Sequence, residues 1–247
     1  MTIPCLITVR TGSTRLYNKC LLPFGKGNVL EHVINRTKEA GFRAIVCTSD
    51  QRSDNIIESI ATDQKVEFFR GNESDKLRRW RDCCRVFGLD KFHTIDADDP
   101  FFSASMVEYS METLDSGYDL IEPTTYSNDG NASVGYSITR DLLEYACASY
   151  VDGSDTEMIL PFLMAKKDVR STILPDSEQC SRIKARLTLD YEEDYWLLKS
   201  VLNILGTQSG RAMVDELFER NPDLYLVNWF RNTEWKARQL NKIKTIA

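Results

Sequence analysis

The sequence predicts an α/β fold in which helices are layered on a sheet. Three observations carry that expectation. Short aliphatic and β-branched runs alternate along the chain with amphipathic stretches of helical period. Those helical stretches are bounded by polar capping residues and by glycines. One β-type run stops in Asp96-Ala97-Asp98-Asp99-Pro100, an acidic cluster at the place where open α/β sheets bind ligands, beyond the carboxyl ends of strands.

Taken in order, Pro4–Val9 reads as a buried first strand, followed by a polar loop, Arg10–Lys19. Asn28 with Glu31 three residues on makes a capping box for a helix whose inner stripe is Val29, Leu30, Val33 and Ile34, and Gly41 ends it. Ala44–Thr48 is a second strand, and the polar run Ser49–Asp54 leads to a helix near Asn55–Ala61. Val66–Phe69 is a third strand, and Ser74 is placed to cap a helix reaching Phe87. His93–Ile95 is the strand that ends in the acidic cluster, Ser103 caps the next helix, and Leu120–Glu122 begins another strand. The middle third is less regular. Ser127–Gly130 is a turn, Val134–Ile138 a strand running back, Thr156–Met164 a helix and Val169–Ile173 strand-like. Ile183–Leu189 reads as a strand ending at Asp190, Glu192–Leu205 as a helix closing on Gly206, and Trp235–Ile243 as a basic amphipathic helix. With no repeat, low-complexity tract or linker, 1–247 reads as one domain, with a less regular segment at about 123–185.

Composition excludes several classes. A net charge of −6 argues against nucleic acid as a partner, so any anion site needs a local concentration of Arg and Lys. Seven scattered cysteines without a C-x-x-C pair point to reduced, buried thiols. The opening MTIPCLITVR is too short in apolar residues for a signal peptide, and no run approaches the roughly 20 apolar residues of a membrane span. A cytoplasmic location without membrane contact is expected. Only His32 and His93 occur, one in a helix and one in a strand, so both read as structural and neither a histidine base nor a zinc site is expected.

Two features carry chemistry. Arg10-Thr11-Gly12-Ser13-Thr14-Arg15-Leu16-Tyr17-Asn18-Lys19 sets three cations directly after the first strand of an acidic protein. Gly12 and Ser13 can turn backbone N–H groups to an anion, the arginines offer forked donors to phosphate oxygens, and Lys19 suits the charge developing on a leaving pyrophosphate. The alternative is a solvated basic loop; no Walker motif is present. Asp98 and Asp190, each at a strand end, are a second pair. Magnesium often takes one or two carboxylates and completes its shell with phosphates and water. Equally, both aspartates suit helix caps or turns.

The motif order resembles a known family. Leu6–Lys19, with its R-x-G-S-T-R-L-x-x-K core, is similar to the phosphate loop of cytidylyltransferases that activate 3-deoxy-octulosonic and sialic-type acids, and closest in kind to the SpsF-like branch. Val29–Ile34, Cys47-Thr48-Ser49-Asp50, Phe69–Leu77, Ala97–Pro100 and Leu187–Asp194 follow in the family's order. The resemblance implies a Rossmann-like nucleotidyltransferase of the glycosyltransferase-A type, a three-layer sandwich on a mostly parallel mixed sheet, and a homodimer. It implies that CMP passes from CTP to an acidic sugar in surface polysaccharide synthesis. Arg10, Gly12, Ser13, Arg15 and Lys19 would grip the triphosphate, Arg70 and Ser74 would lie near cytosine and ribose, and Asp98 and Asp190 would hold Mg2+. Lys19, Arg15 and Asp98 are then the catalytic candidates. The chain departs from the branch at Tyr17-Asn18, where Pro-Gly is usual, and at Met158, where a histidine is usual. Both departures leave the acceptor open, with Ser133, Tyr136, Glu157 and Arg186 as candidates for its pocket. Arg186 suits a carboxylate or phosphonate, or is a surface strand residue. A phosphonate or sugar phosphate acceptor, a D-x-D glycosyltransferase using Asp96-Ala97-Asp98, and an idle binding protein are the alternatives.

Overall fold

The computed structural model describes residues 2–176 and 184–237. Its strands are β1 (Pro4–Thr8), β2 (Pro23–Phe24), β3 (Gly27–Asn28), β4 (Arg43–Ser49), β5 (Glu67–Gly71), β6 (Lys91–Asp96), β7 (Leu120–Glu122), β8 (Ser137–Thr139) and β9 (Ser171–Ile173). The helices are α1 (Val29–Glu39), α2 (Asn55–Asp63), α3 (Lys76–Phe87), α4 (Ala104–Asp115), α5 (Arg140–Ser149), α6 (Leu160–Leu163), α7 (Glu192–Leu205) and α8 (Arg211–Arg220). Seven strands form one sheet in the order β5-β4-β1-β6-β8-β7-β9, and β2 and β3 pair as a small hairpin. β5, β4, β1 and β6 run parallel to one another, as do β7 and β9, while β8 runs against both β6 and β7. The sheet is therefore mixed and mostly parallel, as expected.

Period-two burial sorts the central strands between two faces. Cys5, Ile7, Ala44 and Val46 pack with Leu30, Val33, Ile34 and Ile57 on one side. Leu6, Ile45 and Cys47 pack with Leu77, Trp80, Cys83 and Leu142 on the other. A third cluster joins Phe24, Val29 and Phe101 to Leu187, Leu189 and the inner faces of α7 and α8. The six cysteines among the described residues are free and buried; Cys180 lies outside them.

Local chemistry sets the boundaries. The capping box of α1 forms: Glu31 N–H donates to Asn28 Oδ1 at 2.9 Å, and Asn28 N–H donates to Glu31 Oε2 at 2.8 Å. The cap of α3 is Asp75, not Ser74, because Asp75 Oδ1 accepts Arg78 N–H at 3.0 Å. Ser74 N–H and hydroxyl both turn to Asn72 Oδ1 and shape the loop before the helix. The expected strand at Val134–Ile138 shortens to Ser137–Thr139. A Cβ on Gly135 would stand 2.1 Å from the Thr94 carbonyl oxygen, so the chain crosses β6 there in contact that only glycine permits. The strand near Val169 begins at Ser171, and helix within Thr156–Met164 is confined to Leu160–Leu163.

The largest departure is Ile183–Leu189. Ile183 lies outside the described residues, and 184–190 join no strand. The N–H groups of Leu187 and Thr188 donate to the Gly130 carbonyl and that of Leu189 to the Asp98 carbonyl. The segment is buried and hydrogen-bonded without a ladder. Helices α5 and α8 were not anticipated. Of the expected tail helix, 235–237 are helical within a stretch starting at 230, and the rest lies outside the described residues. Among the described residues, no helix is long and apolar enough to cross a membrane.

Candidate functional site

The chain order sets where a ligand can sit. From β1 the chain moves out through β4 to β5, then returns to lay β6 on the other flank of β1. Connections thus diverge between β1 and β6, and in open α/β sheets the crevice beyond the carboxyl ends of such strands is where ligands bind. Thr8, the last residue of β1, is level with Asp96, the last of β6. The basic loop leaves from one, the acidic cluster from the other.

The loop is tied down before it reaches its cations. Thr11 donates from both its N–H and its hydroxyl to Asp54 Oδ1, at 2.8 and 2.6 Å. Ser13 N–H donates to the Thr11 carbonyl at 2.7 Å, so it is not turned outward to an anion as the sequence suggested. Gly12 has no positive φ, and a Cβ there would meet only Glu73 Oε1, at 4.0 Å; its own backbone does not demand glycine. Asn18 adopts left-handed geometry, φ 50°, and starts the single turn Lys19–Leu21 that aims Lys19 into the crevice.

There the distant elements meet. Lys19 Nζ contacts Asp98 Oδ2 and stands 2.9 Å from Asp190 Oδ1. Arg15 Nη2 is 2.5 Å from the same Asp190 oxygen, and its guanidinium lies over the Tyr191 ring. Arg10 reaches across to Glu157 at 2.7 Å. Burial alone would lower the Lys19 pKa, but the charges of Asp98 and Asp190 reverse this and raise it. Asp190 is the mirror case: burial pushes its pKa up, and Lys19, Arg15 and Arg186 bring it below the usual carboxylate range.

Asp190 is oriented from behind. Asp194, fully buried in the first turn of α7, accepts the N–H groups of Asp190 and Tyr191 at 2.9 and 3.0 Å. Arg186, also fully buried, forks onto Asp194 at 2.9 and 3.1 Å and reaches Asp190 Oδ2 at 3.3 Å. This corrects both sequence readings of Arg186. It is neither a surface residue nor a ligand for an acceptor, because its donors face inward. Ser133 is likewise buried, its N–H on Ser127 Oγ and its carbonyl taken by Ser103 N–H, so it offers no acceptor surface. Tyr136 lies beside the crevice: burial, with Glu122 and Asp96 near it, keeps its phenol protonated. Arg70 is turned elsewhere, onto the Ser49 and Gln51 carbonyls, Asn55 and Glu58, and the structure does not bring its guanidinium into this cluster. Ser74 is likewise not brought into it: its N–H and hydroxyl turn to Asn72 Oδ1.

Asp99 and Lys76, which the sequence alone does not single out, join Asp96 and Asp98 here. Asp96, Asp98 and Asp99 hold carboxylate oxygens within 4.8 Å of one another, the one such acidic group among the described residues. Burial first, and then the neighbouring carboxylates, raise the pKa of Asp96 and of Asp99. Lys76 Nζ approaches Asp96 at 3.4 Å while lying over the Trp80 ring. An all-oxygen set of crowded, part-buried carboxylates suits a hard divalent cation, which relieves their repulsion. Asp190 is less free for that purpose, since Arg15, Lys19 and Arg186 engage both its oxygens. The signal for Lys76 was a cation in a helix's first turn, where the macrodipole disfavours it. Both histidines are structural. Burial lowers the His32 pKa to about 4 and its Nε2–H donates to the Pro100 carbonyl at 3.1 Å; burial lowers that of His93 to about 3, and His93 bridges Ser137 and Gly135.

Comparison with known proteins bears on the family and the fold. The profile of the family described as cytidylyltransferase matches residues 4–140. The spore coat polysaccharide biosynthesis protein SpsF of Bacillus subtilis is 24% identical over 229 residues, covering 88% of this chain and 94% of SpsF. A cytidylyltransferase structure from Leptospira borgpetersenii superposes with TM-score 0.80 at 23% identity, covering 91% of this chain and 96% of that one. A CMP:2-keto-3-deoxy-manno-octonic acid synthetase complexed with CTP superposes with TM-score 0.61 at 15% identity, over 83% and 99%. Those two likenesses establish the fold as that of α/β nucleotidyltransferases.

Proposed function

This chain belongs to the cytidylyltransferase family, and on that premise we propose that it moves CMP from CTP onto a small acidic acceptor in a magnesium-dependent reaction that releases pyrophosphate. The observation that carries the reading is the meeting of Lys19 with Asp98 and Asp190, residues 79 and 171 positions away. A cationic loop and two carboxylates around one crevice match what a nucleoside triphosphate and its counter-ion require.

In this reading Arg10, Arg15 and Lys19 bind the triphosphate, and a hydroxyl of the acceptor attacks the α-phosphorus. Pyrophosphate departs toward Lys19 and Arg15, whose positive charge is stronger on the separating oxygens than on the intact nucleotide. No histidine is needed, because phosphoryl-type transfer works by positioning and electrostatics. Mg2+ would be held by Asp98, with Asp190 or the neighbouring Asp96 and Asp99, and would supply Lewis-acid neutralisation of phosphate charge. With nucleotide bound, its phosphates would take over the cations of Arg15 and Lys19, which would free Asp98 and its neighbours to hold the divalent ion. Glu157, paired with Arg10, and Tyr136, near Asp96, remain the candidates for the acceptor side, which supports reading the chain as a single domain with acceptor binding in the less regular segment of about 123–185.

The acceptor we favour is an acidic sugar of the 3-deoxy-ulosonic or sialic type, used in surface polysaccharide synthesis, because the name of the 2-keto-3-deoxy-manno-octonic acid synthetase gives a sugar acid and that of SpsF gives polysaccharide biosynthesis. With Arg186 turned inward, no acceptor ligand separates a carboxylate from a phosphonate or phosphate, and a phosphonate or sugar phosphate is the second candidate. The enzyme is proposed to act in the cytoplasm as a homodimer. Pyrophosphate release should be measured from each of the four nucleoside triphosphates against ulosonic acids, sialic acids, phosphonates and sugar phosphates. CTP with a sugar acid should give the largest kcat/KM; no release from CTP with any acceptor would refute the assignment.

A further inference from the structure

We infer that Asp54 is a positioning residue for the reaction, holding the Arg10–Lys19 loop in the conformation that receives a nucleoside triphosphate. The inference rests on the reading of that loop as the triphosphate grip. It starts from an oddity of burial. Asp54 is 1% exposed, yet among the described residues it pairs with no cation. Four donors surround it instead. Oδ1 accepts Thr11 N–H and Thr11 Oγ1–H, while Oδ2 accepts the hydroxyl of Ser49 and, at 3.3 Å, that of Thr48. A carboxylate is the side chain that accepts on all sides, so an ionised aspartate is what this nest of donors selects. Burial works toward protonating it, and the bonds from Ser49, Thr11 and Thr48 outweigh that and hold its pKa below the usual range.

The location gives the arrangement its consequence. Val9 N–H, donating to the Cys47 carbonyl, is the last tie of the first strand to its neighbour. Thr11 comes two residues later, at the root of the loop, and both its polar groups are fixed by one carboxylate. Ser49 and Thr48 end β4, so Asp54 couples the loop root to the rigid sheet and to the entry of α2. Arg10, Arg15 and Lys19 all hang from that root. A loop fixed beforehand loses less entropy when it closes on an anion, and affinity gained this way needs no contact with the ligand. Asp54 is therefore expected to govern nucleotide affinity through Thr11, without touching the nucleotide.

The chemistry grades the variants. In Asp54→Asn, the amide oxygen can keep Thr11 while the NH2 faces the Ser49 and Thr48 hydroxyls, which can rotate to accept. Asp54→Ala leaves the Thr11 N–H buried without a partner. Thr11→Val removes only the hydroxyl bond, and Thr11→Ser retains it. The test measures CTP binding by calorimetry with Mg2+, using inorganic pyrophosphate as a second probe, and amide hydrogen exchange of the intact chain. Asp54→Ala should weaken both ligands by about tenfold or more, and Thr11→Val by several-fold. Asp54→Asn and Thr11→Ser should stay near wild type. Exchange should accelerate across 10–20 in the weakened variants while peptides of β4 and α1 keep their protection. Unchanged exchange in the loop of Asp54→Ala, or wild-type affinity together with a loosened loop, would overturn the inference. If Asp54→Ala does not fold, Thr11→Val against Thr11→Ser decides it. Failure of wild type itself to bind CTP or pyrophosphate would refute the grip, and with it the role claimed for Asp54; loop exchange would then report only its structural hold.

Discussion

Replacing Lys19 by Ala isolates what the loop contributes to turnover. The ammonium stands 2.9 Å from Asp190 Oδ1 in a side chain only 14% exposed. At an effective dielectric of 20 the Coulomb attraction at that separation is about 6 kcal/mol before desolvation is subtracted. A phosphate oxygen at similar distance would feel a comparable field, but only the increase between bound nucleotide and departing pyrophosphate speeds the reaction. Removing one such donor typically lowers kcat by 10²–10³, about 3–4 kcal/mol. Loss of the triphosphate charge pairing adds to this in kcat/KM, so a total fall of about 10³–10⁴ is expected for Lys19→Ala. The fold should survive, because Asp190 keeps Arg15 and Arg186 and Asp98 is partly open to water. The stability loss should thus fall below the 3–5 kcal/mol typical of a fully orphaned buried charge, at about 1–2 kcal/mol. The assay is pyrophosphate release at saturating Mg2+ with the acceptor that wild type turns over, paired with a urea melt, and with Lys19→Arg as the charge-retaining control. A folded Lys19→Ala protein within tenfold of wild-type kcat/KM would refute the reasoning.

Arg186→Met should lower stability by about 3 kcal/mol, read from the urea midpoint, since it leaves the fully buried Asp194 carboxylate with neutral donors but without its cation; a change confined to acceptor KM would instead give Arg186 an acceptor role. His93 and His32, whose pKa values lie at about 3 and about 4, stay neutral in the fold while the unfolded chain protonates near 6.5. Their contribution is complete above pH 6.5 and declines as pH falls toward those folded values, at about 1.4 kcal/mol per unit for each group, so equal unfolding free energies at pH 7 and pH 5 would contradict it. For Mn2+ binding followed by electron paramagnetic resonance, Asp98→Asn should weaken affinity at least tenfold. If the crowded trio holds the ion, Asp96→Asn does the same; if Asp190 is the second ligand, Asp190→Asn does so and Asp96→Asn does not.

Much of the core was legible because burial writes itself into period and caps. The apolar stripe of α1, its capping box and the strands flanking β1 follow directly from side-chain placement. The errors share a physical cause. In 183–189 the apolar residues alternate around Lys184 and Arg186, a pattern that reports burial but says nothing of which backbone pairs with which. Ala185, Leu187 and Leu189 do bury, yet their segment bonds to the Gly130 and Asp98 carbonyls rather than to a strand. Gly135 is similar: a close approach to Thr94 depends on a neighbour 41 residues away.

The site divides along the same line. A motif can announce that Lys19, Asp98 and Asp190 belong together, but not what each is free to do once together. Asp98 and Asp190 look equivalent in sequence, each closing a β-type run. In space they are opposites. Asp190 is held by three cations and oriented through Asp194, so its charge is largely answered within the protein. Asp98 meets one ammonium and shares its neighbourhood with two other carboxylates, so its charge is in excess. A cation from solution gains most where negative charge is least answered. Asp98 is therefore the carboxylate around which a divalent ion should organise, and Asp190 the one that keeps the loop's cations aligned beside it. Arg186 shows how far context reaches: an arginine in an apolar run looked like a ligand for an anion, and it is one, but the anion is Asp194.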